Sequence, residues 1–151
     1  MSIIRDPQEW NHYHMRMALQ AAEMSKDPST KTGCVIVRDR RIVSTGYNGF
    51  PMGVDDKEEW LNDREMKYAL TIHAETNAIL DAKTDLKDTY LYCTHFPCHD
   101  CAKNIVQSGI EKVFYHNRKK LEDGSWSEHY KFADIIFKNA GIFTKKVDIA
   151  V

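Results

Sequence analysis

The second half of the chain alternates helical and extended patterns, and this alternation limits the folds available to it. A helical pattern begins near His73, where Ala74, Ala78 and Ala82 recur every four residues beside Ile79 and Leu80. The patterns that follow are strand 89–95, helix 98–108, strand 112–116, helix 127–140 and strand 143–151. Strands that are joined through helices lie parallel, in right-handed crossovers. We therefore expect the later strands to form a parallel sheet.

The first half adds a helix and a hairpin. Asp6 and Pro7 suit the N-cap and first position of a helix that runs to about Ser25, with Met24 among its apolar positions. Residues 32–48 hold two β-rich runs around a polar turn, the pattern of a β-hairpin. A glycine-rich loop (46–56) and a charged, partly helical segment (57–70) follow.

These elements predict one α/β domain spanning residues 1–151. Helices on both faces of the sheet give a three-layer α/β/α arrangement, here with a five-stranded mixed sheet. Glycines at 109 and 141 follow two of the helical patterns, where C-terminal glycines end helices.

Composition excludes several classes of function. The 151 residues carry a formal net charge of −1, whereas nucleic-acid binders usually have a basic excess. No apolar run approaches the roughly 18 residues of a membrane span, and the N-terminus lacks a signal-peptide pattern. We expect a cytoplasmic protein without nucleic-acid or membrane partners.

The four cysteines indicate a metal site. Clustered cysteines in a reducing compartment serve metal binding or catalysis more often than disulfides. Cys98 and Cys101 are three residues apart, about one helical turn, so both sulfurs can face the same way. His73 begins the preceding helical pattern, and two helix N-termini directed at one point favour thiolates.

A zinc site with three protein ligands differs in function from a closed site, in which four protein ligands surround the ion. His73, Cys98 and Cys101 would leave the fourth tetrahedral position of Zn²⁺ open for water, as in catalytic zinc sites. Glu75, two residues after His73, is placed to carry a proton between that water and a substrate nitrogen.

Two other interpretations of these residues stay open. The cysteine pair could be a redox dithiol, or a structural zinc site closed by Cys93, His95 or His99. Cys93 has hydrophobic neighbours inside a strand pattern, and we interpret it as a packing residue.

The motifs His73-Ala74-Glu75 and Pro97-Cys98-His99-Asp100-Cys101 together match the signature of zinc nucleobase deaminases. The sequence resembles the cytidine deaminase superfamily and, within it, the deoxycytidylate (dCMP) deaminases. The segments DPSTKTGCVIV, GYNGFPMG, IHAETNAIL and FPCHDCAK carry this finer resemblance, and their span covers most of residues 25–116.

The resemblance implies hydrolytic deamination of dCMP to dUMP, the precursor of thymidylate. It assigns the zinc ligands to His73, Cys98 and Cys101, and the proton transfers to Glu75. Some relatives bind a second, structural zinc through a segment before this motif. Residues 51–72 contain neither Cys nor His here, so we expect one zinc per chain.

The resemblance also suggests substrate contacts. Asn48 would bond the sugar or base edge, Ser29, Thr30 and Lys31 would hold the 5′-phosphate, and Tyr115 would stack on the base. Ala74 and Pro97 would complete the substrate pocket. A structural role for Asn48, a solvated turn at 29–31 and a core position for Tyr115 are the alternatives.

Regulation is a further implication of the resemblance. Family members are commonly activated by dCTP and inhibited by dTTP, bound with Mg²⁺ at the subunit interfaces of a homohexamer. The corresponding residues are Gly46, Tyr47, Asn48, Gly49 and Phe50, where glycines would let the backbone approach a nucleotide. Other zinc deaminases, a non-catalytic nucleotide sensor and a structural zinc module are the competing functions.

Overall fold

A computed structural model describes residues 6–117 and 127–150. Its elements in chain order are α1 (Pro7–Ala22), β1 (Gly33–Arg38), β2 (Arg41–Tyr47), α2 (Glu58–Leu61), α3 (Arg64–Leu70), α4 (Ala74–Ala82), β3 (Tyr90–His95), α5 (His99–Ser108), β4 (Lys112–Asn117), α6 (Glu128–Ala140) and β5 (Phe143–Lys146). Among the described helices, none is both long and apolar enough to cross a lipid bilayer.

The five strands form one mixed sheet in the order β2-β1-β3-β4-β5. Strand β1 pairs antiparallel with β2 and β3, whereas β3, β4 and β5 are parallel. The predicted hairpin, the parallel later strands and the five-stranded mixed sheet are therefore confirmed.

Helices cover both faces of the sheet, as the alternation predicts. Along β1, Cys34 and Ile36 belong to the core beneath α4, α5 and α6, and Val35 and Val37 belong to the core beneath α1. The strand is buried on both faces, which explains its continuous apolar run. The arrangement is the predicted three-layer α/β/α.

Helix α1 begins as predicted but ends earlier. The Asp6 side chain accepts a hydrogen bond from the Glu9 amide at 2.8 Å, which caps the helix. The helix stops at Ala22, and the hydroxyl of Ser25 donates to the Asn48 carbonyl oxygen at 2.9 Å. The prediction of an apolar position at Met24 is wrong, since this residue is 65% exposed beyond the helix.

Small residues place α4 against strand β2. A Cβ atom on Gly46 would lie 2.4 Å from the Ala74 carbonyl oxygen and 2.6 Å from the Ala78 amide nitrogen. The strand and helix backbones are therefore close enough that only glycine fits. Leu80, predicted to help pack this helix, is 63% exposed. The contact fixes the start of α4, where His73 and Glu75 lie.

Replacing Gly46 tests this close approach. We expect Gly46→Ala to lower the free energy of unfolding by roughly 3 kcal/mol, the upper end of the range for overpacking, because backbone atoms cannot move aside. Gly49→Ala is the matched control, since its Cβ would meet no atom closer than Tyr47 Cε2 at 3.9 Å. Denaturant unfolding of both variants measures the difference, and equal stability would contradict the proposed packing.

Candidate metal and catalytic site

The three predicted ligands lie at the N-termini of two helices. His73 is the N-cap of α4, Cys98 is the N-cap of α5, and Cys101 lies in the first turn of α5. Both N-cap residues have extended backbones, and their carbonyl oxygens accept from Asn77 (3.0 Å) and Ala102 (2.9 Å). The ligands therefore lie at the positive ends of two helix dipoles, which favour thiolates.

The ligand atoms have the spacing that a tetrahedral zinc ion needs. His73 Nδ1 is 3.5 Å from Cys98 Sγ and 3.3 Å from Cys101 Sγ, and the ligand atoms all lie within 4.8 Å of one another. Zinc bonds of about 2.3 Å to sulfur and about 2.0 Å to nitrogen, at a tetrahedral angle, separate these atoms by roughly 3.5 Å. The side chains therefore fit Zn²⁺.

The predicted alternative of a closed site finds no support in the geometry. Among residues 6–117 and 127–150, no fourth His, Cys, Asp or Glu joins the cluster. Cys93 is fully buried and donates to the Phe114 carbonyl oxygen at 3.4 Å. His95 Nδ1 pairs with Thr94 Oγ1 at 3.0 Å, and His99 Nδ1 lies 2.9 Å from His129 Nδ1. Three ligands leave one position open.

The two thiols of the site differ in proton affinity. The pKa of Cys98 is lowered to about 4, chiefly because the Cys101 thiol donates to its sulfur and also because His73 lies beside it. The pKa of Cys101 is raised, first by this same hydrogen bond and then by burial. One thiolate is thus favoured without a cation, while a second one requires a positive charge between the two sulfurs.

Glu75 is a buried carboxyl at the start of α4. Only 5% of the residue is exposed, and burial raises its pKa despite the nearby His73. The fully buried thiols of Cys34 and Cys93 have pKa values raised first by burial and then by the charge of Glu75. Beside the ligand cluster, a carboxyl with a raised pKa is suited to accept and return a proton.

The predicted substrate residue Asn48 has a structural role. It is buried, its Oδ1 accepts from the Thr32 amide at 2.9 Å, and its Nδ2 donates to the Thr30 carbonyl oxygen at 2.9 Å. Asn48 therefore positions the predicted phosphate-binding segment, residues 29–31. Its contact with substrate stays a prediction, as do those of Ser29, Thr30 and Lys31.

Asp27 and Lys67 are residues of this loop that sequence reasoning missed. Asp27 Oδ1 accepts from the amides of Ser29 (2.8 Å) and Thr30 (3.1 Å) and from Lys67 Nζ (3.1 Å). Burial opposes ionisation of Asp27, but these bonds outweigh it and lower the pKa. The order Asp-Pro-Ser-Thr is a local signal for such a turn. Lys67 lies on α3, and no pattern near it in the sequence predicts its pairing with Asp27.

Backbone pairing connects the glycine-rich loop to the metal ligands. The Gly49 amide donates to the Ile72 carbonyl oxygen at 3.1 Å, and the Ile72 amide donates back at 2.8 Å. Asn77 Nδ2 of α4 donates to the Tyr47 carbonyl oxygen at 2.8 Å. Because Ile72 directly precedes His73, the predicted effector segment lies beside the metal site.

The other predicted contact residues differ in exposure. Ala74 and Pro97 are fully buried, and Tyr115 packs edge-on against Phe96 with ring centroids 4.9 Å apart. Phe50 is half-buried. Their predicted contacts with substrate or effector stay predictions. The close approach of α4 explains on structural grounds why a glycine stands at position 46.

The family model for the zinc-binding region of cytidine and deoxycytidylate deaminases matches residues 8–117. The chain belongs to this family. An uncharacterized deaminase of Aliivibrio fischeri is 42% identical over 134 residues, covering 89% of this chain and 90% of that protein. The Mus musculus deoxycytidylate deaminase is 39% identical over 145 residues, covering 91% of this chain and 79% of that protein.

Solved structures agree with this membership. The crystal structure of dCMP deaminase from the cyanophage S-TIM5, in complex with dCMP and dUMP, superposes with a TM-score of 0.72 at 26% identity. The superposition covers 95% of this chain and 99% of that one. The predicted cytidine-deaminase-like fold is confirmed, and with it the similarity to deoxycytidylate deaminases.

The ligand assignment predicts different outcomes for two adjacent residues. We expect Cys98→Ala to lose its stoichiometric zinc and to unfold more easily, because metal binding stabilises the folded state. His99→Ala should keep one zinc per chain, since its ring pairs with His129 instead of the cluster. Metal analysis after gel filtration, with thermal unfolding, measures both. Zinc loss in His99→Ala equal to that in Cys98→Ala would indicate a closed site.

Proposed function

We propose that this chain catalyses the hydrolytic deamination of dCMP to dUMP and ammonia. The observation that carries the proposal is a three-ligand zinc site with an open position beside the buried carboxyl of Glu75. A structural zinc site needs four protein ligands and no such carboxyl. Relatives named deoxycytidylate deaminase, and the phage enzyme in complex with dCMP and dUMP, support the choice of substrate.

The residues of the site divide the chemistry between them. When bound by His73, Cys98 and Cys101, a zinc ion lowers the pKa of water at its open position and supplies a nucleophile at neutral pH. Glu75 accepts a proton from the attacking water and gives it to the cytosine ring nitrogen. The same carboxyl then accepts the proton of the new hydroxyl group on ring carbon 4 and gives it to the amino group, so that the carbon-oxygen double bond forms as the carbon-nitrogen bond breaks and ammonia leaves.

Burial explains why Glu75 suits this work. A solvated glutamate has a pKa near 4.3 and is a poor proton donor at pH 7. Desolvation raises the pKa of Glu75, which brings acceptance and release of the proton closer to balance.

The monophosphate of dCMP is assigned to the loop at 29–31. The Asp27 turn and Asn48 preform this loop, while Lys31 itself is exposed and available to a ligand. The amides of Ser29 and Thr30 are occupied by Asp27, so the charge of Lys31 and the exposed hydroxyl groups of Ser29 and Thr30 are the groups offered to the phosphate.

Regulation and assembly complete the proposal. We assign dCTP activation and dTTP inhibition, with Mg²⁺, to Gly46, Tyr47, Asn48, Gly49 and Phe50. Their support is the backbone pairing of Gly49 with Ile72, through which a ligand on this segment would contact the chain next to His73. The proposed state is a cytoplasmic homohexamer of single catalytic domains.

Glu75→Gln separates proton transfer from metal binding. We expect this variant to keep its zinc, because Glu75 is not a ligand, and to lose at least about 10²-fold in kcat, because an amide cannot carry the proton. Metal analysis and a spectrophotometric dCMP assay measure the two properties. Turnover at the parent rate would disprove the proton-transfer role.

A substrate panel tests the proposed activity. We expect dCMP to be deaminated with a higher kcat/KM than deoxycytidine, cytidine, dCTP or cytosine, and added dCTP or dTTP to change the dCMP rate in opposite directions. Preference for a free nucleoside or base would contradict the proposed substrate.

Replacing Lys31 tests the proposed contact with the 5′-phosphate. Lys31→Ala should raise the KM for dCMP about 10-fold or more, the value of one charged hydrogen bond, and leave kcat/KM for deoxycytidine unchanged. Lys83→Ala, at the opposite end of α4 from His73, is the matched control. Equal effects of Lys31→Ala on both substrates would contradict a phosphate role.

A further inference from the structure

A hydrogen-bond chain reaches the metal site from its outer side. Asn104 Nδ2 on α5 donates to Thr76 Oγ1 on α4 at 3.1 Å, and Thr76 Oγ1 lies 3.7 Å from Cys101 Sγ. Asn104 is exposed, Thr76 is half-buried, and Cys101 is 2% exposed. The chain therefore runs from solvent to the most deeply buried ligand atom.

The chemistry of the groups sets the direction of each bond. The amide nitrogen of Asn104 can only donate, so the oxygen of Thr76 accepts. A sulfur that ligates a metal is a thiolate and can only accept. The one hydroxyl hydrogen of Thr76 is thereby directed at Cys101 Sγ.

Cys101 has a greater need of this donor than Cys98. Cys98 is partly exposed, so water can solvate its sulfur, whereas Cys101 is enclosed beside the carboxyl of Glu75. A buried anion without a hydrogen-bond donor is costly, and the low local dielectric strengthens the donor that is present. Thr76 supplies such a donor, 3.7 Å from the sulfur.

We propose that Thr76, oriented by Asn104, is a positioning residue that donates a hydrogen bond to the Cys101 thiolate and retains zinc at the site. The bond would stabilise the buried thiolate that zinc binding requires. Groups in this outer position commonly change metal affinity by about 10–100-fold. The inference rests on the zinc site of the proposed function and not on the identity of the substrate.

The test compares Thr76→Val, which keeps the shape and removes the hydroxyl, with Thr76→Ser, which keeps the hydroxyl. We expect transfer of zinc from Thr76→Val to a chelator to be about 10-fold faster than from the parent, and Thr76→Ser to match the parent. In the Co²⁺-substituted proteins, the sulfur-to-cobalt charge-transfer band should move to longer wavelength in Thr76→Val alone, because a sulfur without a hydrogen bond is oxidised more easily.

Asn104 supplies the second arm of the test. Asn104→Ala should accelerate zinc transfer in the parent background and have no further effect in Thr76→Val, because it acts only through the hydroxyl. Additive effects, or a Thr76→Val protein with the parent transfer rate and cobalt band, would overturn the proposal. Equal zinc loss from the Val and Ser variants with an unchanged band would also overturn it, by indicating a packing role.

The experiment distinguishes this inference from the proposed function. A parent protein that binds no stoichiometric zinc contradicts the proposed function itself. A parent protein that holds zinc and deaminates dCMP, with no difference between the Val and Ser variants, contradicts only the role of Thr76.

Discussion

The convergence of two helix N-termini on one point is the constraint on which the site depends. Helix α5 follows strand β3 directly, so the sheet fixes its start, while α4 is fixed by its contact with Gly46 of strand β2. Strands β2 and β3 lie on opposite sides of β1 in the sheet, so the two helix N-termini are positioned by different strands. Together these contacts bring His73 Nδ1 to 3.3 Å from Cys101 Sγ. A loss of backbone contact at β2 would therefore act on metal binding as well as on stability.

The metal site and the neighbouring loop at 29–31 are stabilised by different charged groups. The ligand cluster favours one thiolate by itself and needs a cation for the second, so zinc binding supplies part of the folding free energy. The loop at 29–31 is fixed instead by Asp27 and Lys67, whose side chains are only 12% and 11% exposed. Removing one partner of a buried ion pair costs about 3–5 kcal/mol, so this loop is held independently of the metal.

The sequence predicts the parts of the site that lie close together in the chain. Cys98 and Cys101 share one helical turn, and His73 and Glu75 share the start of another, so the two motifs together indicate a metal site and its proton carrier. Lys67 pairs with a residue 40 positions away, and no local pattern carries that information. The hydrophobicity of Leu80 predicts burial, but this side chain is exposed because the Gly46 contact is made by the small residues Ala74 and Ala78.

The hydrogen-bonding capacity of Asn48 restricts the substrate contact predicted for it. An amide side chain offers two donor hydrogens and two acceptor lone pairs. Both donors are directed inward, to the Thr30 carbonyl oxygen at 2.9 Å and the Asp27 carboxylate at 3.5 Å, and one lone pair accepts from the Thr32 amide. What is left is one acceptor position on Oδ1. A sugar hydroxyl and the exocyclic amino group of cytosine can both donate to that position, whereas the carbonyl and ring nitrogen acceptors of cytosine cannot. Within this loop geometry, the predicted contact of Asn48 with a nucleotide therefore requires a donor group on the ligand.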